Sequence, residues 1–323
     1  MSKARKLREL INAPDILVLP GVFDGFSARL LQPSGFAAGF ISGAGVSESG
    51  LGWADLGVMG LEENLRACRT FAACCDLPLL ADADTGYGNA VNVHFAMRAF
   101  EQAGLAGIMI EDQVWPKRCG HMKGKEVISA EEGTEKIRAA AEARRNPETV
   151  IMARTDALAT HGIAEVIRRL NFYAEAGADL LFADAVLTTD HIATVTKNVS
   201  KPVCVNMGFG IRQRSTTPLL SARQLQDLGV GVVIYPRLLT AAAVKGMKNA
   251  LAVLDESLRT GKVVDRPDLL VSFEELNELV AMPELERLEK RYLTKEQLSR
   301  KYEDAGQGAE ALAARHGGER SSQ

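Results

Sequence analysis

The sequence predicts a (β/α)8 barrel, an α/β fold of the TIM type, followed by extra C-terminal helices. Eight short apolar runs alternate with stretches whose apolar residues recur at helical spacing. Gly104 and Gly177 lie where a helix should end before the next strand. The length of 323 residues accommodates such a barrel, which takes ~250 residues. An open doubly wound sheet is the alternative, but eight successive βα units favour closure.

The predicted strands show little polar alternation, as expected for parallel strands covered on both faces. They are Ile16–Val22, Ala38–Gly43, Pro78–Asp82, Gly107–Glu111, Thr149–Ala153, Asp179–Ala183, Pro202–Asn206 and Gly231–Tyr235. The clearest helical stretches between them are Leu61–Cys75, Val91–Gly104 and Ile163–Gly177.

The alternation stops near residue 265, which predicts three regions: a catalytic barrel at 1–265, a helical extension at 266–304 and a mobile tail at 305–323. Ser272 and Thr294 each precede a glutamate or glutamine by three residues, which is the pattern of a capping box. The extra helices either pack on their own barrel or cross to a neighbouring subunit, and the pattern does not choose between these.

The composition excludes several classes of protein. A formal net charge of −3 gives no reason to expect nucleic acid or an anionic membrane as partner. No apolar run reaches the ~18 residues of a membrane span. Five cysteines without a CxxC pair indicate reduced thiols and hence a cytoplasmic location. The expected partner is a small molecule.

Acidic side chains follow two neighbouring predicted strands. Asp82 and Asp84 are two residues apart, so on an extended strand end they share a face. Glu111 ends the next strand, and barrel enzymes place their active sites at these ends. Hard oxygen ligands of this kind suit Mg²⁺. The alternative is a pair of turn-forming aspartates, since Asp-Thr-Gly is common in turns.

The segment Trp115–Lys125 after the fourth strand contains Cys119 among basic side chains that include His121. Neighbouring cations lower the pKa of a thiol, and two glycines would let the loop close over an anionic substrate. The alternative is an ordinary basic surface loop with an inert cysteine.

Two further strand ends carry candidate substrate ligands. Ser42, Gly43 and Ala44 end the second strand with amides that could bind a carboxylate. Arg154 ends the fifth strand and is suited to bidentate carboxylate binding. A structural ion pair with a nearby acid is its alternative role.

These segments together resemble the isocitrate lyase / phosphoenolpyruvate mutase superfamily over residues 15–260. The similar segments read Pro20-Gly-Val-Phe-Asp24, Asp82-Ala-Asp-Thr-Gly-Tyr-Gly88, Glu111-Asp-Gln-Val-Trp-Pro-Lys-Arg-Cys-Gly-His121, Ala153-Arg-Thr-Asp-Ala157 and Asn206-Met207. The Lys-Arg-Cys-Gly-His segment resembles the branch that cleaves C–C bonds, which includes methylisocitrate and dimethylmalate lyases.

The resemblance implies Mg²⁺, with Mn²⁺ as a substitute, held by Asp82 and Asp84 and supported by Glu111. It implies that Arg154 and the amides of Ser42–Ala44 bind substrate, with Gly120, Asp184 and Asn206 completing the contacts. Cys119 would be the acid–base group, and His121 would help to set its protonation state. It also implies a homotetramer, a dimer of dimers, whose C-terminal helices are swapped between subunits.

Three departures from the family pattern bear on the substrate. Phe40 stands where methylisocitrate lyases have a tyrosine, and Asp184 stands where a glutamate is usual. After Asn206 the usual glutamate is absent, and Arg212 and Arg214 are added. The added arginines favour a substrate with an anionic distal end.

The function predicted from these features is a Mg²⁺-dependent C–C lyase that cleaves a 2-hydroxy di- or tricarboxylic acid into a 2-oxo acid, such as pyruvate, and a carboxylic acid. An oxaloacetate hydrolase or decarboxylase, or a carboxyphosphonoenolpyruvate mutase, would need the same metal and oxo-acid site. A metabolite-binding protein without activity would not require Cys119 and His121.

Overall fold

The computed structural model describes residues 1–120, 122–213 and 216–301. The chain divides into two compact units, Met1–Val264 and Asp265–Gln323. His121, Arg214 and the predicted tail at 305–323 lie outside the described residues.

Eight parallel strands form a closed barrel in which each strand pairs with the next and the last pairs with the first. This order confirms the predicted barrel and excludes an open doubly wound sheet. The strands are β1 Leu17–Val22, β2 Gly39–Ile41, β3 Leu79–Asp82, β4 Gly107–Glu111, β5 Val150–Thr155, β6 Leu180–Ala183, β7 Val203–Asn206 and β8 Val232–Tyr235.

Helices connect the strands, and further helices follow the last strand along the chain. They are α1 Lys3–Ile11, α2 Gly25–Leu30, α3 Gly43–Val46, α4 Leu61–Cys74, α5 Ala90–Gln102, α6 Ala130–Ala143, α7 Leu158–Glu175, α8 Thr189–Asn198, α9 Ala222–Asp227, α10 Leu238–Thr260, α11 Phe273–Leu279 and α12 Met282–Tyr292, with a π-helix at Ser47–Leu51. Among the described residues, no helix combines the length and the apolar character that a membrane crossing requires.

Two strand ends differ from the prediction in a way that matters for the site. β5 was predicted to end at Ala153 but continues through Arg154, because Arg154 stays in register with Glu111 of β4 and Phe182 of β6. β2 was predicted to reach Gly43 but ends at Ile41, because the Ser42 side chain accepts the Gly45 N–H and caps α3.

The helix ends follow the capping chemistry of the sequence. α7 begins at Leu158, earlier than predicted, but Gly162 breaks it with φ 79° and ψ 177°, so its long part is the predicted one. In the second unit, Ser272 and Glu275 form the predicted capping box of α11. Thr294 and Gln297 exchange the same pair of bonds before a helical segment at 295–301.

The barrel interior has its own apolar core, separate from the layer between strands and helices. Its members on the strands include Phe40, Leu80, Met109, Met152, Phe182 and Cys204. Leu7 and Ile11 of α1 belong to the same cluster. Because strand side chains alternate with a period of two, the residue two positions after each of these strand members also faces inward, at the carboxyl end of its strand.

Candidate active site

The inward-facing positions at the carboxyl end of the barrel are polar, whereas the layers beneath them are apolar. The residues two positions after the six strand members of the inner core are Ser42, Asp82, Glu111, Arg154, Asp184 and Asn206. All six are buried, and all except Glu111 line one cavity, together with Ala44, Cys119 and Gly120. The structure therefore brings together most of the residues that the sequence singled out.

Asp82 and Glu111 end the adjacent strands β3 and β4, whereas Asp84 lies two residues past β3 in a turn with φ 48°, not on the extended strand end that the sequence predicted. An Asp82 oxygen accepts the Asp84 N–H at 3.0 Å, and the Asp84 carbonyl accepts the Glu111 N–H at 2.9 Å. Burial raises the pKa of Asp84 to about 7 and also raises the pKa values of Asp82 and Glu111. Among the described residues, neither side-chain oxygen of Glu111 accepts a hydrogen bond, although Oε2 lies 3.1 Å from Arg154 Nε. Within the described parts of the chain, no three Asp, Glu, His or Cys side chains are placed to hold a metal jointly.

Lys117 compensates part of this negative charge. Its Nζ atom lies 2.5 Å from Asp55 Oδ1 and 2.8 Å from Asp84 Oδ1. Burial alone would lower the pKa of Lys117, but the carboxylates of Asp84, Glu111, Asp55 and Asp82 outweigh it and raise the pKa well above its usual value. Lys117 is therefore a fixed buried cation beside the carboxylates.

Arg154 is held by carboxylates on three sides. Its guanidinium contacts Asp156 at 2.8 Å, Asp184 at 2.8 Å and Glu111 at 3.1 Å. The structural ion pairs that the sequence left open are therefore present. The guanidinium also lies over the Phe182 ring, 5.5 Å from its centroid. These contacts fix the orientation of Arg154, which still lines the cavity.

The loop with Cys119 is held over the cavity by hydrogen bonds from several elements. The Cys119 N–H donates to the Asp55 carbonyl at 3.1 Å. The Gln113 side chain both donates to the Arg118 carbonyl and accepts the Arg118 N–H. Lys125 Nζ donates to the Gly120 carbonyl and to Asp156 at 2.9 Å. His121, the second predicted catalytic residue of the loop, is outside the described residues.

Three of the four other cysteines are buried, whereas Cys119 is half-buried. Cys68 and Cys204 are fully buried, and burial raises the pKa values of both thiols. Cys75 is buried at the end of α4 with its pKa raised for the same reason. These surroundings suit packing rather than proton transfer.

The end of β2 explains why small residues are needed there. A Cβ atom at Gly43 would lie 2.8 Å from Asp82 Oδ2, so only glycine lets the Asp82 carboxylate approach. The Ser42 hydroxyl is already used to cap α3, whose first residues are Gly43 and Ala44.

Of the two arginines added after β7, one can be placed relative to the cavity, and Arg212 is not among the described residues that line it. Arg212 is exposed and Arg214 is not described. Asn206 does line the cavity, and its Oδ1 accepts the Gly208 N–H at 2.6 Å. Arg237, two residues after the end of β8, does line the cavity, and its Nη2 atom lies 3.9 Å from Cys119 Sγ.

Comparison with known proteins assigns the chain to a family. A family model described as phosphoenolpyruvate phosphomutase matches residues 7–254. The chain is 38% identical to 2,3-dimethylmalate lyase of Eubacterium barkeri, over 91% of this chain and 99% of that protein. The chain belongs to the isocitrate lyase / phosphoenolpyruvate mutase superfamily.

Other members of the superfamily are similar over nearly the whole chain. A 2-methylisocitrate lyase of Aeropyrum pernix is 36% identical over 97% of this chain and 94% of that protein. A solved oxaloacetate acetylhydrolase with 3,3-difluorooxalacetate aligns with a TM-score of 0.82 and 31% identity, covering 90% and 96% of the two chains. A phosphonopyruvate hydrolase solved with oxalate and Mg²⁺ aligns with a TM-score of 0.80 and 29% identity, covering 91% and 100%. All are enzymes by name.

Three residues of the site were not predicted from the sequence. Asp55 follows the π-helix rather than a strand, so the rule of strand ends could not select it. In the sequence, Lys117 is one of several basic residues of the segment Trp115–Lys125, so its pairing with Asp55 and Asp84 appears only in the folded chain. Arg237 lies two residues after the predicted strand Gly231–Tyr235, and extending the strand-end rule past Pro236 would have found it.

Proposed function

We propose that this protein is a Mg²⁺-dependent lyase that cleaves a C–C bond of a 2-hydroxy di- or tricarboxylic acid, in the manner of an alkylmalate or methylisocitrate. The products would be a 2-oxo acid such as pyruvate and a carboxylic acid. The observation that carries this proposal is that Cys119 lines the same cavity as Asp82 and Arg154. The cavity thus combines a group able to transfer a proton with hard oxygen ligands and a guanidinium.

The carboxylates fit a magnesium ion in chemistry and burial. Among the described residues, Glu111 Oε1 is buried without a hydrogen bond and Oε2 is paired with Arg154 Nε at 3.1 Å, so Oε1 is free to bind a divalent cation. Asp82 and Asp84 would hold the ion directly or through water, with Glu111 in support. Mg²⁺ commonly uses one or two carboxylates and keeps several waters, so a preformed set of three ligands is not required. Mn²⁺ would be accepted in its place. When bound, the ion supplies charge stabilisation for the oxygen of the reacting hydroxyl or oxo group.

The reaction follows from the residues around the cavity. Arg154 and the amides of Ser42–Ala44 would bind the carboxylate and oxo groups, with Gly120, Asp184 and Asn206 as further contacts. The substrate hydroxyl gives its proton to a base, and the electron pair of the C–C bond stays with the fragment that becomes the carboxylic acid. The Cys119 thiol returns a proton to the α-carbon of that fragment. Phe40 has no group that accepts a proton, so a different base serves the first step.

The cavity volume indicates that the loop moves during the reaction. The space is about 40 Å³, which holds a few water molecules rather than a dicarboxylic acid. Since Cys119 and Gly120 form part of its wall, withdrawal of the loop would open it for substrate.

We also propose that the protein is a cytoplasmic homotetramer with swapped C-terminal helices. Neither α11 nor α12 has a buried residue in the single chain. Exposed apolar side chains recur every three or four residues along α10, at Val244, Met247, Leu251, Leu254 and Leu258. Such a stripe suits a helix of a second copy. Sedimentation of the native chain and of Leu254→Glu tests this, and equal masses for both would count against α10 as the interface.

A substrate panel tests the lyase proposal. Purified protein with Mg²⁺ is offered methylisocitrate, isocitrate, dimethylmalate, other alkylmalates and oxaloacetate, and the release of pyruvate, glyoxylate or oxalate is followed. Pyruvate from an alkylmalate or methylisocitrate supports the proposal. Oxalate from oxaloacetate would instead indicate the hydrolase, to which the alignment with oxaloacetate acetylhydrolase gives weight. No turnover of any compound would refute enzymatic C–C cleavage of this class.

A further inference from the structure

Arg237, the second residue after β8, connects this strand end to the loop over the cavity. Its Nη2 atom lies 3.9 Å from Cys119 Sγ, within hydrogen-bonding range for sulfur, and its Nη1 atom lies 2.7 Å from Glu48 Oε1. We propose that Arg237, anchored by Glu48, is a positioning residue that holds the Cys119 thiol in the cavity and favours its thiolate form. This inference rests on the proposed role of Cys119 as the acid–base group.

The position of Arg237 is fixed by the barrel rather than by the loop. Arg237 follows Tyr235 and Pro236 at the end of β8 and is the N-cap residue of α10. Its carbonyl accepts the Ala241 N–H at 3.0 Å, in the first turn of that helix. Its side chain is only 23% exposed. The guanidinium can therefore hold a loop residue at a constant place relative to the strand ends.

Glu48 is suited to anchor the guanidinium. It lies in the π-helix after β2, and its side chain is 28% exposed. Burial raises the pKa of Glu48, while Arg237 acts in the opposite direction. The pair links the end of β8 to the segment after β2. In the closed barrel, β1 lies between these two strands.

The other arginine that lines the described cavity cannot take this role as easily. Arg154 is shared among Glu111, Asp156 and Asp184. Among the described residues, Arg237 has one carboxylate contact, to Glu48, and directs a second N–H towards sulfur. This division leaves Arg154 to the carboxylates on the strand ends and Arg237 to the thiol.

The charges around Cys119 come from every neighbouring element. The acidic groups that line the same cavity are Asp55, Asp82 and Asp184, and the cationic groups are Arg154 and Arg237. Lys117 and Arg118 precede Cys119 in its own loop. The acidic groups oppose ionisation of a thiol, so a cation in contact with sulfur is needed to favour the thiolate. A stabilised conjugate base also makes the thiol a better proton donor to a carbanion-like fragment.

The test is the pH dependence of thiol alkylation at Cys119. The native chain and Arg237→Gln are treated with iodoacetamide over a range of pH, and modification is quantified on the peptide that contains Cys119. We expect the apparent pKa of Cys119 alkylation to rise by about one unit in Arg237→Gln. At a pH below both pKa values, the variant should then be alkylated about tenfold more slowly than the native chain. Arg237→Lys should recover part of the shift, because a cation remains. An unchanged profile in Arg237→Gln would overturn the proposal.

Two sets of variants separate this effect from general charge and from folding. Lys245→Gln removes one positive charge from an exposed position of the same helix, and its profile should match that of the native chain. Glu48→Ala and Glu48→Gln remove the same negative charge, but only glutamine can still accept from the guanidinium. Alkylation should therefore have a higher apparent pKa in Glu48→Ala than in Glu48→Gln, and identical profiles would reject the anchoring role.

Kinetics distinguish failure of this inference from failure of the lyase proposal. With a turned-over substrate, Arg237→Gln should lower kcat and change KM little, because the thiol acts on the departing fragment. A shifted alkylation profile without turnover of any tested acid would uphold the Arg237–Cys119 contact and refute the lyase. Turnover by the native chain with no change in either readout would refute only the role of Arg237.

Discussion

Lys117 Nζ lies 2.8 Å from Asp84 Oδ1, and neither side chain is more than 3% exposed. A lysine from the loop that carries Cys119 is thus paired with one of the carboxylates proposed to hold Mg²⁺. The contact connects the position of the loop to the charge at the strand ends. Removal of the lysine would leave the buried carboxylates of Asp55 and Asp84 without their cation.

Lys117→Met should therefore destabilise the protein strongly. Breaking a buried ion pair by removing one partner costs about 3–5 kcal/mol, because a charge is left buried without compensation. The free energy of unfolding in urea, measured without added metal, reports this loss. Lys123→Met, at an exposed position of the same loop, should change it little. Equal losses in both variants would show that the ion pair is not responsible.

Asp82→Ala should remove the response to Mg²⁺. A ligand that binds only the folded state stabilises it by about 2.7 kcal/mol at 100 times its Kd, so saturating Mg²⁺ should raise the Tm of the native chain. We expect Asp82→Ala to lose this increase together with metal-dependent activity. Asp76→Ala, exposed just before β3, should retain both. An undiminished Mg²⁺ response in Asp82→Ala would reject Asp82 as a ligand.

Gly120→Ala should disable the loop without unfolding the barrel. The added Cβ would overlap Asp184 Oδ2 and crowd Arg154 Nη2, so the loop could not occupy its present place. We expect a loss of about 100-fold in kcat/KM, as for a misplacement of about 1 Å. Gly246→Ala meets no atom within 4 Å in α10 and should keep full activity. Native kcat/KM in Gly120→Ala would contradict the closed loop as the active form.

Glu165 should contribute stability that depends on pH. The hydrogen bond from Arg168 lowers the pKa of Glu165 from 4.5 to about 2. Burial opposes this shift with a smaller effect, and a hydrogen bond from Arg169 adds to it. Because the pKa of Glu165 is lower in the folded than in the unfolded chain, its ionised carboxylate stabilises the fold at pH above the unfolded-state pKa. This contribution disappears as the pH falls from 4.5 towards about 2. Urea unfolding of the native chain and Glu165→Gln should therefore differ at neutral pH and converge in acid. Glu175→Gln, exposed at the end of α7, is the control; a constant difference for Glu165→Gln would refute the linkage.

The fold could be predicted from sequence because its signals are local. Apolar runs and helix caps define each βα unit, and the two-residue period identifies which side chain at a strand end faces inward. Asp82, Glu111 and Arg154 could be predicted because each ends or directly follows a predicted strand. The missed contacts join distant segments: Lys117 with Asp55, and Arg237 with Glu48 and Cys119. Their partners lie in loops and a π-helix without periodicity, so only the closed barrel shows that they meet.

The central claim, that Cys119 supplies the proton in C–C cleavage, is tested most directly by Cys119→Ser. Turnover of the acid identified in the substrate panel and binding of pyruvate with Mg²⁺ are measured on the same preparation, with Cys74→Ser of α4 as control. A serine hydroxyl is a far weaker acid than a thiol, so we predict a fall in kcat of about 100-fold or more, with pyruvate and Mg²⁺ binding nearly intact. Full turnover by Cys119→Ser would contradict the claim and remove the cysteine from the mechanism.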